Sequence, residues 1–263
     1  MEQSLMSHWK FVNSLSLGLS ILESLARTRS SFSLSEITQI INSPKTTVFR
    51  LLKTLCELDY LKYDTQNKKY SLSTKVLSIG FSFLQSLEIR EVARPYLEEL
   101  SREWDKSINL LTLDKVEMIY IDRTKVYNVR ELNINIGSRI PVHNTAAGRA
   151  VLAYLDRDEL IEIIREIQND REISRQIGKN GNKLLKRLRE VRADGFATTD
   201  GELVRGVRAL GVPIFSPRGG NYAINVAVAS EIVSIADLRS QYAPKLIKVG
   251  NEISKEMGYQ GLS

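Results

Sequence analysis

Two helix-start signals close together constrain this chain more than any other feature. Ser33-Leu34-Ser35-Glu36 fits a capping box, in which the Ser33 hydroxyl accepts from the backbone N–H of Glu36 and the Glu36 carboxylate reaches back to the N–H of Ser33. A short helix from Leu34 to Ile41 follows, broken at Asn42 and Ser43. Ser43-Pro44 then opens another helix as N-cap and first helical residue, because proline's missing N–H costs nothing there. This helix, Pro44 to Leu58, carries an apolar stripe of Val48, Leu51, Leu52 and Leu55, while Lys45, Thr46, Thr47, Arg50 and Lys53 project elsewhere. Two short helices around a tight turn, the second basic at its start, describe a helix-turn-helix.

The flanks extend the pattern. Leu15, Leu19, Leu22 and Leu25 recur at steps of four and three and predict a preceding helix that packs through those leucines. Tyr60–Tyr63 and Lys69–Leu72 alternate around a polar turn at residues 64–68, a hairpin with Lys68 and Lys69 at its tip, placed for phosphate or minor-groove contact. Any small helical domain with a solvated basic face carries one such motif; their order favours a winged helix-turn-helix. Cys56 reads as a small buried hydrophobe rather than a redox sensor.

Charge supports the division. The 263 residues carry 37 Lys and Arg against 31 Asp and Glu, a balance of +6. Residues 1–80 hold ten basic and six acidic residues, +4, which leaves +2 for the other 183. A sequence-neutral chromatin-like binder is expected to carry a larger excess. No apolar run reaches the roughly 18–20 residues of a membrane span, and the N-terminus lacks a signal peptide's apolar core, so no membrane partner and a cytoplasmic location are expected. One cysteine and two distant histidines, His8 and His143, predict no metal site, and no cofactor motif is present.

The remainder mixes strands and helices. Helical patterns at 72–87 and 91–104 predict a linker and dimer contact, although the stripe of the first is equally consistent with packing on its own domain; Pro95 is expected in the first turn or so of the second. Strands are expected at 108–113, 116–121, 129–136, 212–215 and 222–228, and helices at 145–154, at 156–167 behind an Asp156…Glu159 cap, at 183–191 and at the end of the chain. This order predicts an α/β domain with a largely antiparallel sheet.

Several segments resemble IclR-type bacterial transcription regulators: Leu34-Ser35-Glu36-Ile37, residues 43–52 with Leu55, Tyr70-Ser71-Leu72-Ser73, residues 116–123, residues 137–150 (Gly-Ser-Arg-Ile-Pro-Val-His-Asn-Thr-Ala-Ala-Gly-Arg-Ala), residues 191–197 and residues 206–214. The resemblance runs from about residue 14 to the C-terminus. It implies an α+β chain: a winged helix-turn-helix DNA-binding domain over 1–74, a linker helix over 75–90, and a GAF-like α/β effector-binding and oligomerisation domain over 91–263. It further implies double-stranded palindromic operator DNA and a small organic acid effector as partners, and a homodimer or homotetramer. Gly137-Ser138-Arg139 and Asn225-Val226-Ala227 look most like the branch controlling aromatic-acid and β-ketoadipate catabolism.

On this reading Lys45, Thr46, Thr47, Arg50, Lys53, Lys68 and Lys69 contact DNA, with Thr46, Thr47 and Arg50 on base edges. His143, Asn144, Thr145, Ala146 and Ala147 form a strand-to-helix turn whose free N–H groups suit a carboxylate. An ordinary N-cap followed by alanines for close packing explains the same residues; the match to the family's effector loop favours the ligand. Thr199, Val207, Ala209, Asn225 and Ala227 match positions that line the family pocket. Some relatives carry an acidic residue at 199, Cys at 209 and serines at 225 and 227, so a different effector from the short keto acid that those relatives bind is expected. Arg208 pairs either with a ligand carboxylate or with a structural partner, and His143 is as easily structural. Asp200 and Glu202, two residues apart, keep open a small-molecule-processing enzyme as the alternative, although no familiar catalytic or phosphate-binding motif is present.

Overall fold

The computed structural model describes residues 11–28, 30–124, 134–217 and 221–261. The chain forms two compact units, Met1–Ser86 and Leu87–Ser263. Among the described residues, no helix is long and apolar enough to cross a membrane.

In the first unit α1 (Asn13–Thr28), β1 (Phe32–Ser33), α2 (Leu34–Ile41), α3 (Lys45–Glu57), β2 (Leu61–Asp64), β3 (Lys69–Leu72) and α4 (Lys75–Gln85) follow in order. The capping box at Ser33 forms in both directions, at 2.7 Å to the Glu36 carboxylate and 3.4 Å from the Glu36 amide. Asn42, in the left-handed region at φ 49°, ends α2. Pro44 differs from the expectation. It is extended (φ −54°, ψ 135°) and serves as the N-cap itself, with its carbonyl accepting from the Val48 amide, so the helix begins at Lys45. The wing is a three-stranded antiparallel sheet in the order β1-β3-β2. The two-residue β1 is too short to carry a periodic signal.

The buried face of α1 is also corrected. Leu25 is buried and Leu22 packs against the same core, as expected, together with Gly18 and Ile21, whereas Leu15 and Leu19 are 61% and 51% exposed. Both stripes have helical spacing, so periodicity cannot choose between them. The partner decides: Ile21 and Leu25 pack with Ile37, Val48, Leu52, Leu61 and Tyr70. On α4 Leu77, Ile79, Phe81 and Phe83 are exposed.

The second unit opens with α5 (Glu88–Trp104), one turn earlier than expected, which places Pro95 inside the helix rather than near its start. Its N–H would have bonded the Glu91 carbonyl. Then come β4 (Ile108–Asp114), β5 (Glu117–Arg123), β6 (Arg139–Pro141), α6 (Ala146–Leu152), α7 (Arg157–Ile167), α8 (Arg171–Ile177), α9 (Asn182–Asp194), β7 (Ala197–Asp200), β8 (Val207–Ile214), β9 (Tyr222–Ala229), the single turn α10 (Ile235–Asp237) and α11 (Ala243–Glu256). The six strands form one sheet in the order β6-β5-β4-β9-β8-β7, every pair antiparallel. Of the strand expected at 129–136, residues 129–133 lie outside the described residues, and 134–136 lead into a turn at Gly137 before β6.

Strand β8 shows how the layers are built. Successive strand residues face opposite sides. At Gly211 an added Cβ would meet the Ala146 carbonyl carbon at 2.7 Å and the Ala147 amide at 2.8 Å, so α6 lies directly on that face. The next residue, Val212, points the other way toward Gly250 of α11. Gly148 makes a second close approach, to the turn that leads into the helix, where a Cβ would meet the Val142 carbonyl oxygen at 2.3 Å. α6 thus rests on the sheet at Gly211 and on its own preceding turn at Gly148, with no side chain between backbones at either point.

This contact has a direct test. Gly211→Ala forces a methyl into the α6 backbone and is expected to destabilise the second unit by about 1–3 kcal/mol. Urea unfolding followed by the fluorescence of Trp104 measures it; an unchanged midpoint would mean that α6 moves away without cost.

Candidate functional site

In the first unit the candidate DNA contacts lie on α3 and at the tip of the wing. Along α3, Lys45, Thr46, Arg50 and Lys53 are exposed while Thr47 is half-buried. Buried Val48 and Leu52 hold the opposite side against the core. No side chain caps the start of α3. Lys53 lies 3.9 Å from Glu57 one turn on, and Phe49, about half exposed, shares the surface with Arg50. At the wing tip the Asp64 carboxylate accepts from the amides of Gln66 and Asn67, and Lys68 turns the chain at φ 54°. Lys68 is exposed and Lys69 half-buried, opposite Asp64 in the ladder.

In the second unit two rows across the sheet make a floor. Thr199 of β7 lies opposite Ala209 of β8, which lies opposite Ala227 of β9. In the adjacent row Gly211 faces Asn225, which faces Asn109 of β4. Thr145, Ala146, Thr199, Val207, Ala209, Asn225 and Ala227 all line one cavity of about 40 Å³, closed further by Tyr120, Ile134, Ile140, Leu203 and Val204. Its polar groups are few. Thr145 caps α6 through the Gly148 amide and donates to the Pro141 carbonyl at 2.6 Å. Asn225 accepts from the Asn109 amide group at 2.8 Å. Burial raises the pKa of Tyr120 and outweighs the opposing influence of Arg123 and of the hydrogen bond to Asn225.

The other expected ligand contacts lie elsewhere. Arg208 follows Val207 and precedes Ala209, so strand alternation turns it to the opposite face, where it donates to the carbonyls of Ser230 and Val233 and sits 3.0 Å from Asp200. Ala147 is fully buried against the sheet. His143 and Asn144 line a separate, polar cleft with Gln176, Lys183 and Arg187. Burial lowers the pKa of His143, and its Nε2 lies 3.3 Å from Gln176.

Sequence reading missed Tyr120, the buried Asn109 and the Leu203-Val204 wall. Tyr120 and Asn109 are polar residues in otherwise apolar strand runs, which is a usable signal; the wall belongs to a loop and has none. Sequence reading also missed the use made of Glu202. Arg149, 4% exposed, grips both oxygens of that carboxylate, at 2.8 and 2.5 Å, and its Nε donates to the His143 carbonyl at 2.8 Å. Arg187 of α9 adds a third bond at 2.6 Å. Burial pushes the Glu202 carboxyl up, but the two arginines outweigh it and hold it below its ordinary value. Among the described residues, no group of His, Cys, Asp and Glu is placed to hold a metal ion.

A family profile described as "Bacterial transcriptional regulator IclR C-terminal" matches residues 81–255, and one described as "IclR helix-turn-helix domain" matches residues 14–65. The chain belongs to the IclR family of transcriptional regulators. It is 32% identical over 246 residues to the HTH-type transcriptional regulator KdgR of Escherichia coli K12, covering 91% of this chain and 90% of that protein. The crystal structure of an IclR family transcriptional regulator from Brucella abortus superposes with a TM-score of 0.81 at 28% identity over 94% of this chain and 93% of that one. An IclR homologue from Microbacterium hydrocarbonoxydans, complexed with 4-hydroxybenzoate, shares the fold at a TM-score of 0.74 and 17% identity over 93% of this chain and 99% of that one. This IclR family member is therefore a DNA-binding transcription regulator with an N-terminal helix-turn-helix unit and a C-terminal α/β unit.

The Glu202 pair is open to measurement. Glu202→Ala leaves the Arg149 guanidinium buried without its carboxylate and is expected to cost about 3 kcal/mol or more, read from urea unfolding at pH 7. Because its pKa is depressed, Glu202 contributes stability above pH 4.5 and loses it as the pH falls through the folded-state value. The difference between wild type and variant is accordingly expected to shrink in acid; a constant difference would contradict the ion pair as its source.

Proposed function

We propose that this regulator reads a specific operator through α3 and the wing, and that a small carboxylated metabolite held in the second unit controls it. Residues 1–74 are the DNA-binding domain in this reading, 75–90 the linker helix and 91–263 the effector-binding and oligomerisation domain. Lys45, Lys53, Lys68 and Lys69 contact phosphate, and Thr46, Thr47 and Arg50 reach base edges.

One observation carries the effector reading. Seven residues scattered from Thr145 to Ala227 meet in a single cavity. The small side chains Ala146, Ala209 and Ala227 leave room against the backbone, while Thr145, Thr199 and Asn225 supply polar handles. A cavity of about 40 Å³ holds only a few waters, so a ligand of metabolite size displaces part of its lining. The 4-hydroxybenzoate carried by the Microbacterium homologue supports a carboxylate effector, an aromatic acid included. The ion pairs of Asp200 with Arg208 and of Glu202 with Arg149 and Arg187 support a structural role for these carboxylates over the enzyme alternative. The exposed Leu15 and Leu19 of α1 and Leu77, Ile79, Phe81 and Phe83 of α4 support self-association, because a second copy would cover them. We place the protein in the cytoplasm.

Two measurements test this reading. With an operator selected from a random DNA pool, Arg50→Ala is expected to weaken binding by about 1–3 kcal/mol and to relax preference at one position. Equal losses on selected and random DNA would remove Arg50 from base reading. In a thermal-shift screen of aromatic and keto acids, at least one is expected to raise the melting temperature of the wild type, and Ala209→Leu, which fills the cavity, to abolish the rise. No shift with any acid, or a shift that survives in Ala209→Leu, would overturn the carboxylate reading.

A further inference from the structure

The polar cleft beside the clamp is built differently from the inner cavity. It measures about 310 Å³ as it stands, within the size range of small-molecule sites, whereas the inner cavity holds about 40 Å³. Arg149, Lys183 and Arg187 line it together with one carboxylate, Glu202, which the two arginines already occupy. Lys183 is exposed and has no acidic partner among the described residues. Asp170, a helix cap whose oxygen accepts from the Glu172 and Ile173 amides, acts on His143 only through its charge. The wall supplies a second, independent sign. His143, 96% buried, and Asn144 line the cleft, and His143 Nδ1 and Asn144 Oδ1 are buried with no hydrogen-bond partner among the described residues. Buried groups without partners are costly, so a ligand or rearrangement that satisfies them is favoured.

We propose that this cleft is a second ligand site, for a small hydroxylated polycarboxylate, distinct from the inner cavity. Carboxylate groups pair with Lys183 and Arg187, and a hydroxyl serves the polar wall at His143 and Asn144. The site is also coupled to the inner cavity, a consequence that rests on the effector reading above. Glu202 belongs to the segment 201–206, and its neighbours Leu203 and Val204 wall the inner cavity. An anion that draws Arg187 away from Glu202 removes one of the two arginines that hold this segment closed. Such a ligand favours the opened segment by its differential affinity, and by linkage an inner ligand that needs the segment open strengthens binding in the cleft.

Citrate is the probe, titrated calorimetrically into the full chain at fixed ionic strength, with inorganic phosphate in parallel. Saturable citrate binding is expected, weakened at least tenfold in Lys183→Ala, which removes no hydrogen bond or ion pair among the described residues, and in Arg187→Gln, but retained in Ala209→Leu. Absence of saturable binding, equal binding by Lys183→Ala, or tighter binding of phosphate than of citrate would overturn the assignment. Hydrogen exchange then reads the coupling. Residues 201–206 are expected to exchange faster with citrate bound, and to do so without citrate in Glu202→Gln. Binding with no change there would overturn the coupling and leave the site. Failure of the inner-cavity reading shows instead in the acid screen and its Ala209→Leu control, which do not involve Lys183.

Discussion

The approach of α6 to β8 governs the second unit. Backbone meets backbone at Gly211, and Gly148 packs as closely on the Val142 turn that leads into the helix, so a side chain would collide at either place. That contact sets the height of Thr145 and Ala146 above the sheet and so creates a shallow space over Ala209, Asn225 and Ala227. A larger residue at Gly211 would lift the helix from the sheet and open the cavity to solvent, and one at Gly148 would displace the turn that carries Thr145. The alanines of this helix, buried to the last residue, have the same cause.

Arg149 extends the constraint from packing to electrostatics. It leaves the buried face of α6 and joins three segments: the 143–145 turn through the His143 carbonyl, the 201–206 segment through Glu202, and α9 through the Arg187 that shares the same carboxylate. A buried guanidinium needs that carboxylate, because an uncompensated charge in such a place is expensive. The pair therefore fixes the wall of the inner cavity, and the same side chains face the outer cleft. One side chain thus links the inner cavity and the outer cleft of the unit.

The alternation of strand residues explains which expectations meet in the cavity. Val207, Ala209 and Gly211 share one face of β8, with Asn225 and Ala227 beside them on β9, so these positions converge. Arg208, between two of them, takes the opposite face, and no change of rotamer carries it through the sheet. Asp200 and Glu202 were open to an acid/base reading by spacing alone. Their partners, Arg208 and the Arg149–Arg187 pair, come from distant parts of the chain that no local pattern connects to them.

Local signals in the sequence determined the helix-turn-helix, its capping box, the wing hairpin, most strands of the sheet and the family, because caps, turns and periodicities act over a few residues. Only the tertiary structure decided which part of the α1 stripe is buried, since Leu15 and Leu19 fit the helical period as well as Leu22 and Leu25 do. The short β1 and β7, and the helix α8, also needed long-range partners to be recognised, as β1 and β7 do through β3 and β8. The division of the expected ligand turn, with Thr145 and Ala146 facing one cavity and His143 and Asn144 another, belongs to the same class. A sequence pattern places residues on a face, but the identity of what lies against that face is settled by contacts between residues far apart in the chain.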